Sequence, residues 1–164
     1  MPDFLTHVLA VYVVLQVSAW RIDWLTRPRI VTGMAGALIP DLVKIKLFVP
    51  AYRVEPLLGV PFSWEPLHRL GGALLTALVL SLLVEASERR GVFLLLVGGL
   101  LSHLLLDAFL LRPVPYTYDL LYPLTHWRAP IFDLDLYLSS DYWPSMVTGT
   151  VALLVFGVTR RRKQ

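Results

Sequence analysis

Four long apolar stretches leave this chain few folds to choose from. A helix needs about 20 mostly apolar residues to cross the hydrocarbon of a bilayer, with roughly 17–25 tolerated. Phe4 to Trp20, Leu70 to Val84, Val92 to Leu111 and Trp143 to Val158 come close to that length. A fifth stretch, Ile30 to Val49, is interrupted by Pro40, Asp41, Lys44 and Lys46. Its cleanly apolar part, Ile30 to Ile39, covers only about 15 Å at about 1.5 Å per residue. Composition points the same way, with 56% hydrophobic and 16% charged residues, against about 45–50% and about 25% in a soluble domain. The expected fold is an all-α, polytopic transmembrane bundle of four to five hydrophobic helices. They fall at about 4–20, 30–49 (broken at Pro40), 68–86, 91–112 and 143–159, in a single integral membrane domain over 1–164.

The placement of charge orients such a bundle. Arg21, Arg27 and Arg29 follow the first stretch, Arg89 and Arg90 separate the third from the fourth, and Arg160 to Lys163 close the chain. Lys44, Lys46, Arg53, Arg69, Arg112 and Arg128 are scattered over the opposite connections. Cytoplasmic loops carry the excess of Lys and Arg, which puts the first set and the C-terminus inside a cell (inner or plasma) membrane crossed several times. The connections at about 50–67 and 112–142 then face out. Rich in Pro, Tyr, Trp and Asp, they suit the membrane surface, where Trp and Tyr concentrate. The net charge of +3 is thereby a topology signal and gives no reason to expect nucleic acid. The opening residues lack a basic region before the apolar run and an Ala-x-Ala-like site after it, so a cleaved signal peptide is not expected. The chain has no cysteine, which excludes disulfides, thiol nucleophiles and Cys-based zinc sites.

Ionisable residues inside apolar helices are expensive and point to function. His103 and Asp107 interrupt an otherwise uncharged run and, four residues apart, share one helix face. They would either pair to glue helices together or face a common ligand. His7, Asp41 and His68 fall in the same outer half of the expected bundle, and His126, Asp133 and Asp135 lie in the outer loop that follows. Histidine and aspartate without thiolates suit Zn²⁺, and also Mn²⁺ or Fe²⁺. A cation with an open position polarises a phosphoryl oxygen and supplies a nucleophile at neutral pH. Arg69 is either a phosphate-binding or an interfacial cation.

The ordered set Thr6-His7, Gly36-Ala-Leu-Ile-Pro-Asp41, His68-Arg69, Ser102-His103-Leu-Leu-Leu-Asp107 and Leu120-Leu-Tyr-Pro-Leu124 resembles the membrane-bound metal-dependent hydrolases. That family includes the LexA-binding, inner-membrane-associated hydrolases and is distantly similar to zinc-dependent phospholipase C. The resemblance spans roughly Met1 to Leu136 and implies a metal held by His7, Asp41, His68, His103 and Asp107. One departure stands out. The family commonly places a Thr-His a few residues after its His-Arg pair, whereas here the stretch reads His68-Arg-Leu-Gly-Gly-Ala73.

The residues and the resemblance together predict a divalent-metal hydrolase, with zinc as the expected cation and manganese or iron as alternatives. Its substrate would be a phosphoester or membrane lipid at the outer face, with Arg69 steadying the phosphate and His126 or an outer-loop aspartate as general acid or base. Two rivals make different predictions. A non-catalytic membrane adaptor or scaffold would use the polar residues only to lock helices. A small ion or proton transporter would line its path with His103 and Asp107.

Overall fold

A computed structural model of the chain describes residues 4–111, 122, 124, 136–138 and 140–162. These residues form helices α1 (Phe4–Ser18), α2 (Arg27–Gly36), α3 (Ala51–Leu58), α4 (Leu70–Leu82), α5 (Arg89–Asp107) and α6 (Trp143–Arg161), with 3-10 segments at Pro40–Leu47 and Glu65–His68. Among the described residues the only β pairing is the isolated bridge between Leu110 and Tyr137. The all-α class is therefore as expected. The expected number of spanning helices is not: among the described residues only α5 is both long and apolar enough to cross a membrane.

The physical reasons lie where the helices stop. α1 and α4 are apolar but short; the 15 residues of α1 reach about 22 Å at about 1.5 Å each. α4 closes at Leu82, ahead of the turns at 83–88. In the weak fifth stretch the α-helix ends at Gly36. Pro40 has no amide hydrogen to continue the ladder, and the chain tightens into the 3-10 segment, with Asp41 N bonding Leu38 O and Leu42 N bonding Ile39 O. α6 keeps its length at 19 residues but carries Arg160 and Arg161 in its last turn. The stretch expected as an outer loop at 50–67 contains α3, closed by Gly59 in the left-handed conformation (φ 67°).

Side-chain bonds fix the directions of the helices. Thr6 bonds Ser145 at 3.0 Å at one end of α1, and Trp20 Nε1 bonds Thr159 at 3.0 Å just past the other, so α1 and α6 run parallel. Arg29 meets Glu88 at 3.2 Å, which aligns the start of α2 with the start of α5. The core is built mainly between α4 and α5. Ala73 and Ala77, one turn apart on α4, leave room for Leu96, Leu100 and Leu104 of α5, and Ile39 and Leu70 complete the cluster.

α2 approaches α5 more closely than ordinary side chains allow. A methyl group at Gly99 would run into the backbone of Gly33, Gly36 and Ala37, and one at Gly36 into the backbone of Leu96. Small residues at such crossings are how helices bring backbones together in membranes. The consequence is local and chemical: the free carbonyls at the end of α2 come within reach of side chains on α5.

Candidate metal centre

His103 and Asp107 stand on the buried row of α5 that also carries Leu96 and Leu100, at spacings of three and four. Because Gly99 admits the end of α2, the Ala37 carbonyl reaches His103 Nδ1 at 2.7 Å. The turn forced at Pro40 does the same for a second histidine: the Pro40 carbonyl accepts from His68 Nδ1 at 3.0 Å. The 3-10 turn Glu65–His68 presents His68 at the mouth of α4. α1 lays His7 over His103, the rings stacked with centroids 3.7 Å apart and planes 15° from parallel. His68 meets the same ring edge to face at 5.4 Å. His7, Asp41, His68, His103 and Asp107 are each 5% exposed or less.

The bonds to Ala37 and Pro40 decide where the lone pairs point. An imidazole that donates its Nδ1 hydrogen carries the lone pair on Nε2. His68 Nε2 is 2.9 Å from Asp107 Oδ2, and His103 Nε2 is 3.5 Å from the same oxygen. His7 Nε2 stands 3.5 Å from Asp107 Oδ1. Three imidazole nitrogens thus converge on one carboxylate. Charging all three rings to satisfy it would stack imidazolium on imidazolium away from water, at high cost. A shared cation would resolve the arrangement. Tetrahedral ligands at about 2.0–2.1 Å from zinc lie roughly 3.3 Å from one another, close to the separations found here.

Two groups have ligand atoms within 4.8 Å of one another: His7, His103 and Asp107, and Asp41, His68 and His103. Asp41 gives one oxygen to Lys44 at 2.9 Å. Its other oxygen, His7 Nδ1 and His103 Nε2 are buried without a hydrogen-bond partner among the described residues. Buried polar atoms in that condition call for a reason, an ion among them. A histidine whose second nitrogen is held by a backbone carbonyl is the usual support of a metal ligand. The residues therefore fit a divalent cation.

All five residues expected as ligands come together, from four separate elements. Arg69 adjoins the cluster through His68. Its Nε is buried without a partner among the described residues, and its guanidinium lies 5.4 Å over the Tyr122 ring. Tyr122 is itself tied to the start of α4 through its carbonyl and Gly71 N, at 2.8 Å. His126, Asp133 and Asp135 lie outside the described residues. Sequence reasoning passed over Lys44 as a partner of Asp41, although the i, i+3 spacing was there to read. It also missed Tyr137, whose hydroxyl donates to the Leu106 carbonyl at 2.7 Å; no spacing signals that contact.

A family model described as YdjM inner membrane protein matches residues 1–162. No curated protein and no solved structure matches the chain.

Proposed function

The chain belongs to the YdjM inner membrane protein family, and from that premise we propose that it is a membrane-embedded, metal-dependent hydrolase. His7, Asp41, His68, His103 and Asp107 would hold the divalent cation, zinc by preference and manganese or iron as substitutes. The observation that carries this reading is the pair of histidines whose Nδ1 hydrogens are taken by the Ala37 and Pro40 carbonyls while both Nε2 atoms turn to Asp107. A helix-locking role needs no such convergence of lone pairs. When bound, the cation supplies polarisation of a phosphoryl oxygen and a nucleophile at neutral pH.

This chain's own residues do the rest. The carbonyls of Ala37 and Pro40 hold the His103 and His68 rings in place. Lys44 neutralises one oxygen of Asp41. Arg69, with a buried Nε to offer, orients a phosphate beside His68, since a guanidinium matches phosphate oxygens in a fork. His126 is the proposed proton donor or acceptor. The substrate class is a phosphoester, a membrane lipid headgroup being the accessible source. α5 supports the membrane setting. Opposite its buried row, Leu94, Leu101 and Leu105 are 56%, 47% and 52% exposed, where a helix of a soluble protein would be polar.

The test is the metal content of detergent-purified protein, wild type beside a His103→Ala/Asp107→Ala variant. About one equivalent or more of zinc or manganese in the wild type, lost in the variant, is the expected result, and it leads to a screen of phosphoesters and lipids. A wild type that stays metal-free after supplementation overturns the reading. Loss of stability without loss of metal would favour the adaptor instead.

A further inference from the structure

The opposite end of the molecule carries a second feature. A cavity of about 710 Å³ opens between α1, α2 and α6, within the size range of small-molecule sites. One face of each helix lines it. α2 contributes Arg27, Ile30 and Met34, at spacings of three and four; α6 contributes Phe156 and Arg160, also four apart; α1 contributes Gln16. Nine residues separate Gln16 from His7 on α1, or about 14 Å along the helix, so this groove is distinct from the metal cluster.

Its chemistry is that of an amphiphile in reverse. The walls are apolar, and the charges are both at one end: Arg27 opens α2 and Arg160 lies in the last turn of α6. That end is shared because Trp20, just past α1, bonds Thr159. No acidic residue lines the groove among the described residues. Two guanidiniums without a carboxylate, over an apolar cleft, in a family of inner membrane proteins, complement one class of partner. Basic pockets between helices at the cytoplasmic surface hold anionic lipid headgroups.

We propose that the groove between α1, α2 and α6 is a binding site for one anionic phospholipid, its phosphate between Arg27 and Arg160 and an acyl chain along Ile30, Met34 and Phe156. The site rests on the membrane setting and not on the metal. Its ligand is retained, not hydrolysed, because the histidines lie at the other end of the bundle.

The test uses full-length protein in neutral detergent, titrated with phosphatidylglycerol or phosphatidylcholine, with retained lipid counted by native mass spectrometry. The wild type should retain phosphatidylglycerol in preference to phosphatidylcholine. Arg27→Gln with Arg160→Gln should weaken phosphatidylglycerol binding roughly 30-fold, the equivalent of about 1 kcal/mol lost per arginine near the headgroup. Met34→Trp, which fills the cleft and leaves both arginines, should reduce retention of both lipids and leave metal content unchanged. Arg90→Gln, a basic residue at the same end but outside the groove, should change nothing. Equal retention of the two lipids by the wild type, unchanged retention in Met34→Trp, or displacement by glycerol phosphate as effective as by the whole lipid would overturn the site. Should the double variant fail to fold, Met34→Trp and the glycerol phosphate competition still decide it.

Discussion

Lys44 is the residue on which the charge of the cluster turns. It pairs with Asp41 at 2.9 Å and lies 3.5 Å over the Phe4 ring, so it balances a carboxylate whose other oxygen is buried without a partner among the described residues. Lys44→Met leaves that carboxylate uncompensated. In metal-free protein this should cost about 1–3 kcal/mol, read by thermal melts in detergent, while zinc affinity should rise because the ligand set becomes more negative. Falling zinc affinity would mean that Asp41 is no part of the site. Tyr137 gives a pH test. Burial first, then the charge of Asp107, push its phenol up to about 12, whereas an unfolded tyrosine ionises near about 10. Between those values the folded chain keeps a proton that the unfolded chain has released. Its contribution is therefore whole below about pH 10 and is lost as pH rises toward 12. Tyr137→Phe should lose about 1 kcal/mol at neutral pH with its bond to the Leu106 carbonyl. Its stability should then fall less steeply than the wild type's at alkaline pH. Parallel curves would show that the phenol does not carry this dependence.

At the scale of elements, the crossing of α2 and α5 joins packing to chemistry. Gly98 and Gly99 are neighbours on α5, but a methyl group at Gly98 meets nothing within 4 Å, while one at Gly99 strikes the backbone of α2. Gly98→Ala should be neutral or stabilise by up to about 1 kcal/mol, the usual gain over glycine inside a helix. Gly99→Ala should cost about 1–3 kcal/mol. It should also weaken metal binding, since moving α2 draws the Ala37 carbonyl away from His103. Melts and metal content measured together check both, and equal effects of the two substitutions would sink the argument. The same crossing shows what was legible in the sequence. His103 and Asp107 could be read because polar residues in an apolar helix declare themselves and their spacing sets a common face. Asp41 could be read from the proline that ends its helix. The two carbonyls that orient the histidines could not, since every residue has one and only the close approach at Gly99 selects Ala37. Helix lengths were overread for a similar reason. Apolar composition runs past Leu82, but the helix stops where the chain turns toward Glu85, and composition does not register a turn of that kind.

At the scale of the whole molecule, the polar cluster and the arginines occupy opposite ends. His7 near the start of α1, His68 just before α4 and Asp107 at the end of α5 meet at one end. Arg27 and Arg29 at the start of α2, Arg89 at the start of α5, and Arg160 and Arg161 at the end of α6 gather at the other. If the excess of basic residues stays in the cytoplasm, the His–Asp cluster opens outward and the groove between α1, α2 and α6 inward. Labelling can decide this cleanly because the chain has no cysteine of its own. Val60, 56% exposed, lies between α3 and the Glu65–His68 turn, on the cluster side. Ser87, also exposed, lies between α4 and α5, on the basic side. Single Val60→Cys and Ser87→Cys variants in intact spheroplasts should differ: a membrane-impermeant maleimide should label the first at once and the second only after lysis. The reverse pattern would turn the molecule over and place the His–Asp cluster, with the hydrolysis proposed for it, on the cytoplasmic side. Labelling of both from outside would show that the helices between them do not separate two compartments. Among the described residues α5 is the helix both long and apolar enough to span, and it would then have to account for the membrane attachment by itself.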